Sequence, residues 1–394
     1  MKVTRVYQVG TYLKLSSYTL TKGFTNSNSH VILRPQHKDV RRTEGAERMN
    51  NDQSRKKRTL KFFLIGCGTI TVLIVAIVAG VGVWLFSGPE GTEMSAYHPF
   101  RSAKAKEEYL KLYDMRAKKW PVVSESRTVD TSYGQTFVRI SGPVGAPPLV
   151  LLHGVGGNSL QWLPNIEALS KCHRTYAVDN IYDYGRSVYT RTIKSPDDFV
   201  NWLDELFSIL ELGDNINLMG LSYGGWLTSQ YALRFPDRLN KIVLLAPAGT
   251  VLPLRLQWMM RAILCTMPHR YFTKSFMYWL LEDLVQKDEA SRVMVEEWVD
   301  DSFMAIRSFK PKRLVNPTVL EDTELQSIKM PALYLVGENE KIYSAQEAVQ
   351  RLNKVAPHIK TEVIPNAGHD LTIVLAEIVN RKVLEFLKQP WCSK

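Results

Sequence analysis

Between residues 122 and 388, short apolar runs alternate with helical stretches, and this alternation limits the fold more than any other feature of the chain. The runs fall at 136–140, 149–152, 174–178, 216–221, 242–245, 332–336 and 361–364. Each is short, apolar enough for a buried strand and bounded by turn residues. Between most of them lie stretches of helical character at 160–170, 196–212, 226–235, 345–355 and 371–387. Strands that alternate with helices imply an α/β domain on a largely parallel sheet. One segment breaks the pattern. Residues 250–327 hold no strand-like run and carry Trp258, Met259, Met260, Met267, Phe272, Phe276, Met277, Tyr278, Trp279 and Trp298. An insertion with this much aromatic and methionine surface is expected to form a helical cap over a site.

Three glycine-marked segments sit directly after strand-like runs. Gly220-Leu221-Ser222-Tyr223-Gly224-Gly225 ends the run 216–221 and opens a helical stretch. A serine at such a turn is pushed out above the sheet edge. Gly220 and Gly224 leave room for neighbouring chains, and the helix N-terminus favours developing negative charge. Ser222 is therefore the candidate nucleophile. His153-Gly154-Val155-Gly156-Gly157 follows the run 149–152. Its glycines let main chain approach a ligand, and a carbonyl under attack needs two N–H donors aimed at the developing oxyanion. The N–H groups of Val155 and Tyr223 are the candidates. His153 is expected to brace the loop rather than act as a base.

Asn366-Ala367-Gly368-His369-Asp370 follows the last run, where a base for the serine belongs, so His369 is the candidate. The orienting acid should lie between nucleophile and base in the chain. The run 332–336 ends at Gly337 and leads into Glu338-Asn339-Glu340. Glu340, three residues past the glycine, can turn back towards His369 and is the first choice. Glu338 is the reserve and Asp370 a further alternative. No His/Cys/Asp/Glu cluster has metal-ligand spacing, so neither metal nor organic cofactor is implied.

The order H-G-x-G-G, G-x-S-x-G, G-E-x-E, G-H over about 122–388 closely resembles the α/β-hydrolase family, and looks most like bacterial esterases and carboxylesterases with a helical cap. The resemblance implies a Ser222–His369–acid triad, an oxyanion hole at Val155 and Tyr223, and acyl transfer from a small-molecule or lipid ester. Many relatives use aspartate as the acid, where this chain offers Glu340. Relatives with the same residues also cut peptides, amides or carbon–carbon bonds, and a binding module that has lost the chemistry would keep the same fold. The oligomeric state is left open.

The charge distribution sets the rest of the organisation. The net charge is +11, but residues 1–61 hold 14 Lys/Arg against 4 Asp/Glu, leaving 36 against 35 for the remainder. The near-neutral body offers no basic face for nucleic acid. Residues 62–86 are 25 residues without a charge, enough for a single transmembrane helix. Arg55, Lys56, Lys57, Arg58 and Lys61 precede the run, and Glu90 and Glu93 follow it. The expectation is a basic, disordered cytoplasmic tail (1–61), a span (62–86), a tether with an amphipathic helix (87–121, the helix over 102–120), and an extracytoplasmic catalytic body (122–394). Met49 is an alternative translation start to Met1. Cys172, Cys265 and Cys392 are three in the outer body and cannot all pair among themselves.

Overall fold

The computed structural model describes residues 94–388, together with Arg55 and Lys61. The chain divides into two units, Met1–Leu73 and Ile74–Lys394, and the strands and helices from residue 94 onwards belong to the second. The expected span at 62–86 lies outside the described residues. Among the described residues no helix is long and apolar enough to cross a membrane.

The elements in chain order are α1 (Ala103–Ala117), β1 (Ser124–Thr131), β2 (Gly134–Ser141), β3 (Pro148–Leu152), α2 (Leu163–Ser170), β4 (Arg174–Val178), β5 (Val188–Tyr189), α3 (Pro196–Ile209), β6 (Ile216–Leu221), α4 (Tyr223–Arg234) and β7 (Leu239–Leu245). Five helices without a strand follow: α5 (Leu256–Cys265), α6 (Arg270–Leu280), α7 (Glu282–Lys287), α8 (Glu289–Ser308) and α9 (Asp322–Ser327). The chain then closes with β8 (Ala332–Gly337), α10 (Ala345–Val355), β9 (Lys360–Ile364), α11 (Leu371–Val374) and α12 (Ala376–Leu387).

The sheet order is β1-β2-β4-β3-β6-β7-β8-β9, with β5 on the side of β2. β1, β2 and β4 pair antiparallel, and every pairing from β4 to β9 is parallel. Strand alternation divides the core in two. Val150, Leu152, Leu218, Ile242, Leu244, Tyr334 and Val336 face one way, onto Phe199, Trp202 and Leu206 of α3 and Trp226 and Tyr231 of α4. Leu149, Leu151, Met219, Leu221, Val243, Leu245, Leu333 and Leu335 face the other, onto Ile166 and Leu169 of α2 and Val379 and Val383 of α12. The insertion shares this second core through Leu281, Leu284, Val295 and Val299.

Local signals account for several boundaries. Ser195 and Asp198 form a reciprocal capping box that opens α3, with Pro196 in the first turn. Ser102 caps α1 by accepting from Ala105 N–H at 3.1 Å. That helix ends at Ala117, so Trp120 lies beyond it, buried, donating from Nε1 to Ser141 Oγ at 3.1 Å. Tyr109 and Tyr113 bury in a third cluster with Phe100, Phe137, Ala305 and Phe309. Two strands depart from the sequence reading. β1 (SESRTVDT) is mostly exposed and polar, an edge strand without an apolar run, and β5 has only two residues. The stretch 371–387 is two helices, α11 and α12, which meet at Leu375.

At the carboxyl edge three backbones meet with no space for a β-carbon. A Cβ on Gly224 would lie 2.1 Å from Leu152 O, and one on Gly220 would lie 2.1 Å from Gly224 O. Gly224→Ala must displace main chain and should cost roughly 3 kcal/mol or more. Gly145→Ala meets nothing within 4 Å and is resisted only by its φ of +81°, so it should cost about 1 kcal/mol. Urea unfolding of both variants checks the order, and equal midpoints would refute it.

Candidate active site

Ser222 stands one residue past the end of β6, in the turn that becomes α4. Its φ of 53° and ψ of −115° fall where L-residues are rare. Three hydrogen bonds hold it there: Ser222 N–H donates to Leu245 O at 2.9 Å, while Ser222 O accepts from Trp226 N–H at 3.1 Å and Ala248 N–H at 3.0 Å. As the first residue of α4, Tyr223 has no preceding turn to accept its N–H, and that group makes no hydrogen bond among the described residues.

The 153–157 loop packs against this turn, since a Cβ on Gly154 would lie 3.3 Å from Ser222 Cβ. Gly154 N–H donates to Gln161 Oε1 at 2.8 Å. Gly156 N–H donates to Asp183, at 3.1 Å and 3.0 Å from the two oxygens. Gly157 N–H donates to Gly154 O at 3.1 Å. Val155 N–H is the one between them with no acceptor among the described residues. His153 has both ring nitrogens occupied: Nδ1 bonds Gly154 O at 2.8 Å and Nε2 accepts from Asn180 N–H at 3.0 Å. A ring tied at both ends takes no proton from a neighbour, so His153 braces the loop.

The registers Leu221↔Leu245, Leu245↔Leu335 and Gly337↔Ile364 bring the ends of β6, β7, β8 and β9 to one edge. The loops after β8 and β9 are laced together: Glu338 N–H donates to Ile364 O and Asn339 N–H to Ala367 O, each at 2.9 Å. Gly337 is required there, because a Cβ would lie 2.2 Å from Ala367 O. Within this frame His369 Nδ1–H donates to Glu340 Oε2 at 2.9 Å. The other carboxylate oxygen of Glu340 accepts from Lys341 N–H at 2.8 Å and Ile342 N–H at 2.9 Å. Glu340 and His369 are both buried. Glu338 accepts instead from Asn366 N–H, and Asp370 from Gly368 N–H and Leu284 N–H. Neither alternative carboxylate bonds the imidazole. The Ser222 hydroxyl and His369 Nε2 make no hydrogen bond among the described residues. The structure thus joins His369 to Glu340 and sets Ser222 beside the 153–157 loop.

The insertion reaches this edge through α7. Lys341 pairs with Glu282, Asn339 Nδ2 donates to Asp283 Oδ1 at 3.0 Å, and Leu284 N–H donates to Asp370 Oδ2 at 3.0 Å. Burial pushes the Asp370 carboxyl up to about 6, and the charge of Asp283 adds to the shift. Among the described residues no group of His, Cys, Asp and Glu is arranged to hold a metal ion. Sequence reasoning missed Gln161 and Asp183. They act on backbone N–H groups from loops that carry no local pattern of their own.

Burial by itself would lower the His369 pKa. The charge and hydrogen bond of Glu340, with Asp370 adding, outweigh that and hold the imidazole above its ordinary value. Removing the charge should reverse the balance. An NMR titration of the His369 ring should give a midpoint above about 6.5 in the parent and a clearly lower one in Glu340→Gln. An unchanged midpoint would show that Glu340 does not set it.

Known proteins resemble this chain over most of the described residues. Residues 147–374 match the family model described as alpha/beta hydrolase fold. An uncharacterized carboxylesterase (nap) of Bacillus subtilis is 36% identical over 284 residues, covering 71% of this chain and 91% of its own length. Carboxylesterase YbfK of the same organism is 35% identical over 285 residues, covering 71% and 93%. The crystal structure of the B. subtilis naproxen esterase superposes with a TM-score of 0.68 at 33% identity, covering 73% of this chain and all of that one. A central parallel sheet between two helical layers, a strained serine where a strand turns into a helix, and these matches lead to one conclusion: the chain belongs to the α/β-hydrolase family.

Proposed function

We propose that this chain hydrolyses carboxylic esters through a Ser222–His369–Glu340 triad and an acyl-enzyme. The observation that carries the reading is the 2.9 Å bond from His369 Nδ1–H to buried Glu340, which leaves the Nε2 lone pair free on the edge where Ser222 is presented. Similarity to two proteins named carboxylesterases supports the ester as the bond cleaved.

Ser222 Oγ attacks the ester carbonyl carbon as His369 Nε2 takes the hydroxyl proton. Glu340 holds the ring in the Nδ1–H tautomer and stabilises the imidazolium. The carbonyl oxygen becomes an oxyanion that accepts from Val155 N–H and Tyr223 N–H, both unspent in the resting site. The tetrahedral intermediate collapses, His369 returns the proton to the leaving alkoxide, and an alcohol departs. Water then attacks the acyl-enzyme with His369 again as base, releasing the acid and restoring Ser222. The aromatic and methionine content of 250–327 favours apolar acyl groups, and this insertion acts as a cap.

The same reading anchors the enzyme in a membrane through 62–86, with the catalytic unit outside. The 25 uncharged residues and the basic flank before them support it. So does Cys172, which is disulfide-bonded, a state suited to an oxidising compartment. Cys265 is free and buried.

Ser222→Ala should reduce turnover of p-nitrophenyl acyl esters to background and abolish fluorophosphonate labelling; retained turnover would sink the nucleophile assignment. Because His369 must be neutral to act as base, kcat/KM should rise with pH through its elevated pKa. Glu340→Gln should move that limb to lower pH and cost kcat about 10⁴-fold. A panel of ester, amide and diketone substrates, read as kcat/KM, tests the bond choice. Protease added to intact cells should digest the catalytic unit, and survival until the membrane is broken would reverse the orientation.

A further inference from the structure

The resting site leaves one N–H of the 154–157 loop unspent, and the reason lies in two side chains outside the triad. Gln161 Oε1 accepts Gly154 N–H at 2.8 Å and fixes the peptide on one side of Val155. Asp183 fixes the other side, with Gly156 N–H at 3.1 Å and 3.0 Å from its two oxygens and Tyr184 N–H at 2.9 Å from Oδ1. Asp183 is buried. A carboxylate there solves one problem and creates another. It holds the loop firmly, because charge-assisted bonds to N–H groups are about twice as strong as neutral ones. It also puts a negative charge in a desolvated place next to the proposed oxyanion, which it would repel.

A compensating charge is present. Lys312, in the segment that leaves α8, donates from Nζ to the backbone oxygen of Asp183 at 2.9 Å. Its ammonium sits among aromatic rings, 5.3 Å from the centroid of Tyr184, 5.5 Å from Tyr182, 5.6 Å from Phe309 and 5.9 Å from Tyr189. Those ring faces favour a cation there.

We propose that Asp183 is a positioning residue for the oxyanion loop, and that Lys312 neutralises it and ties the loop to the stem of the insertion. This rests on the reading of Val155 N–H as an oxyanion donor. The loop is then preset before substrate arrives. Its cost in charge is met by a residue of the insertion, so the state of the insertion reaches the oxyanion hole by a path separate from α7.

The test uses the full chain, a p-nitrophenyl ester, a trifluoromethyl ketone that forms a tetrahedral adduct on Ser222, and the product carboxylate as a ground-state ligand. In Asp183→Ala, kcat should fall about 10- to 100-fold, less than the loss of a whole oxyanion donor. The ketone Ki should rise by a similar factor, while KM and the carboxylate Ki stay within about threefold. In Lys312→Met, which keeps the chain length among the rings, both effects should appear at about 3- to 10-fold. This variant carries the test if Asp183→Ala does not fold. Ketone and carboxylate affinities that change by equal factors, or not at all, would overturn the proposal. Fluorophosphonate labelling of the parent separates the two readings. With no label on Ser222, the catalytic reading itself fails. With Ser222 labelled and both variants behaving like the parent, only the positioning role fails.

Discussion

Everything at the carboxyl edge depends on one unfavourable backbone conformation being held in place. Ser222 at φ 53° costs about 1–3 kcal/mol relative to a relaxed residue. Each of the three hydrogen bonds on its own N–H and C=O returns about 0.5–1.5 kcal/mol, so the two sides are comparable. The balance is decided by the frame. The bonds to Leu245 and Ala248 anchor the serine to β7 and the residues just past it, and the bond to Trp226 to α4. The contact of Gly224 with Leu152 leaves no direction in which the turn can relax.

Glu340 and His369 are held by a different device. Strand registers bring the loops after β8 and β9 together, and backbone hydrogen bonds lace them before any side chain takes part. Glu340 then sits buried with one oxygen on His369 and the other on two N–H groups. The charge and hydrogen bond of Glu340 outweigh burial and hold the His369 imidazole above its ordinary value.

The parts of the fold legible in the sequence are those whose physics is local. β6 coincides with the apolar run at 216–221 because a strand buried on both faces must be apolar, and β4 and α10 also keep the bounds 174–178 and 345–355. β1 is illegible because its residues face water on an edge and its order comes from pairing with β2, residue by residue from Ser124↔Ser141 to Thr131↔Gly134. The site divides in the same way. Ser222 stands in a turn whose glycines are forced by backbone contact, and His369 follows a glycine whose Cβ would lie 2.8 Å from Asp283 Oδ2, so the turns announce them. Spacing favours Glu340 over Glu338 because the later residue can turn back, and it is Glu340 that accepts the hydrogen bond of His369. Gln161 and Asp183 reach across space to backbone donors, and no spacing rule reports that.

Helix α1 is more than an appendage of the sheet. Tyr113 of α1 lies 3.1 Å from Asp179, a wholly buried carboxylate that also accepts from Ser159 N–H, just past the 153–157 loop, and from Arg186 N–H. Phe100 and Tyr109 close over Phe309 at the end of the insertion. A shortened chain that is to keep these contacts must therefore begin upstream of Phe100, well before the first strand.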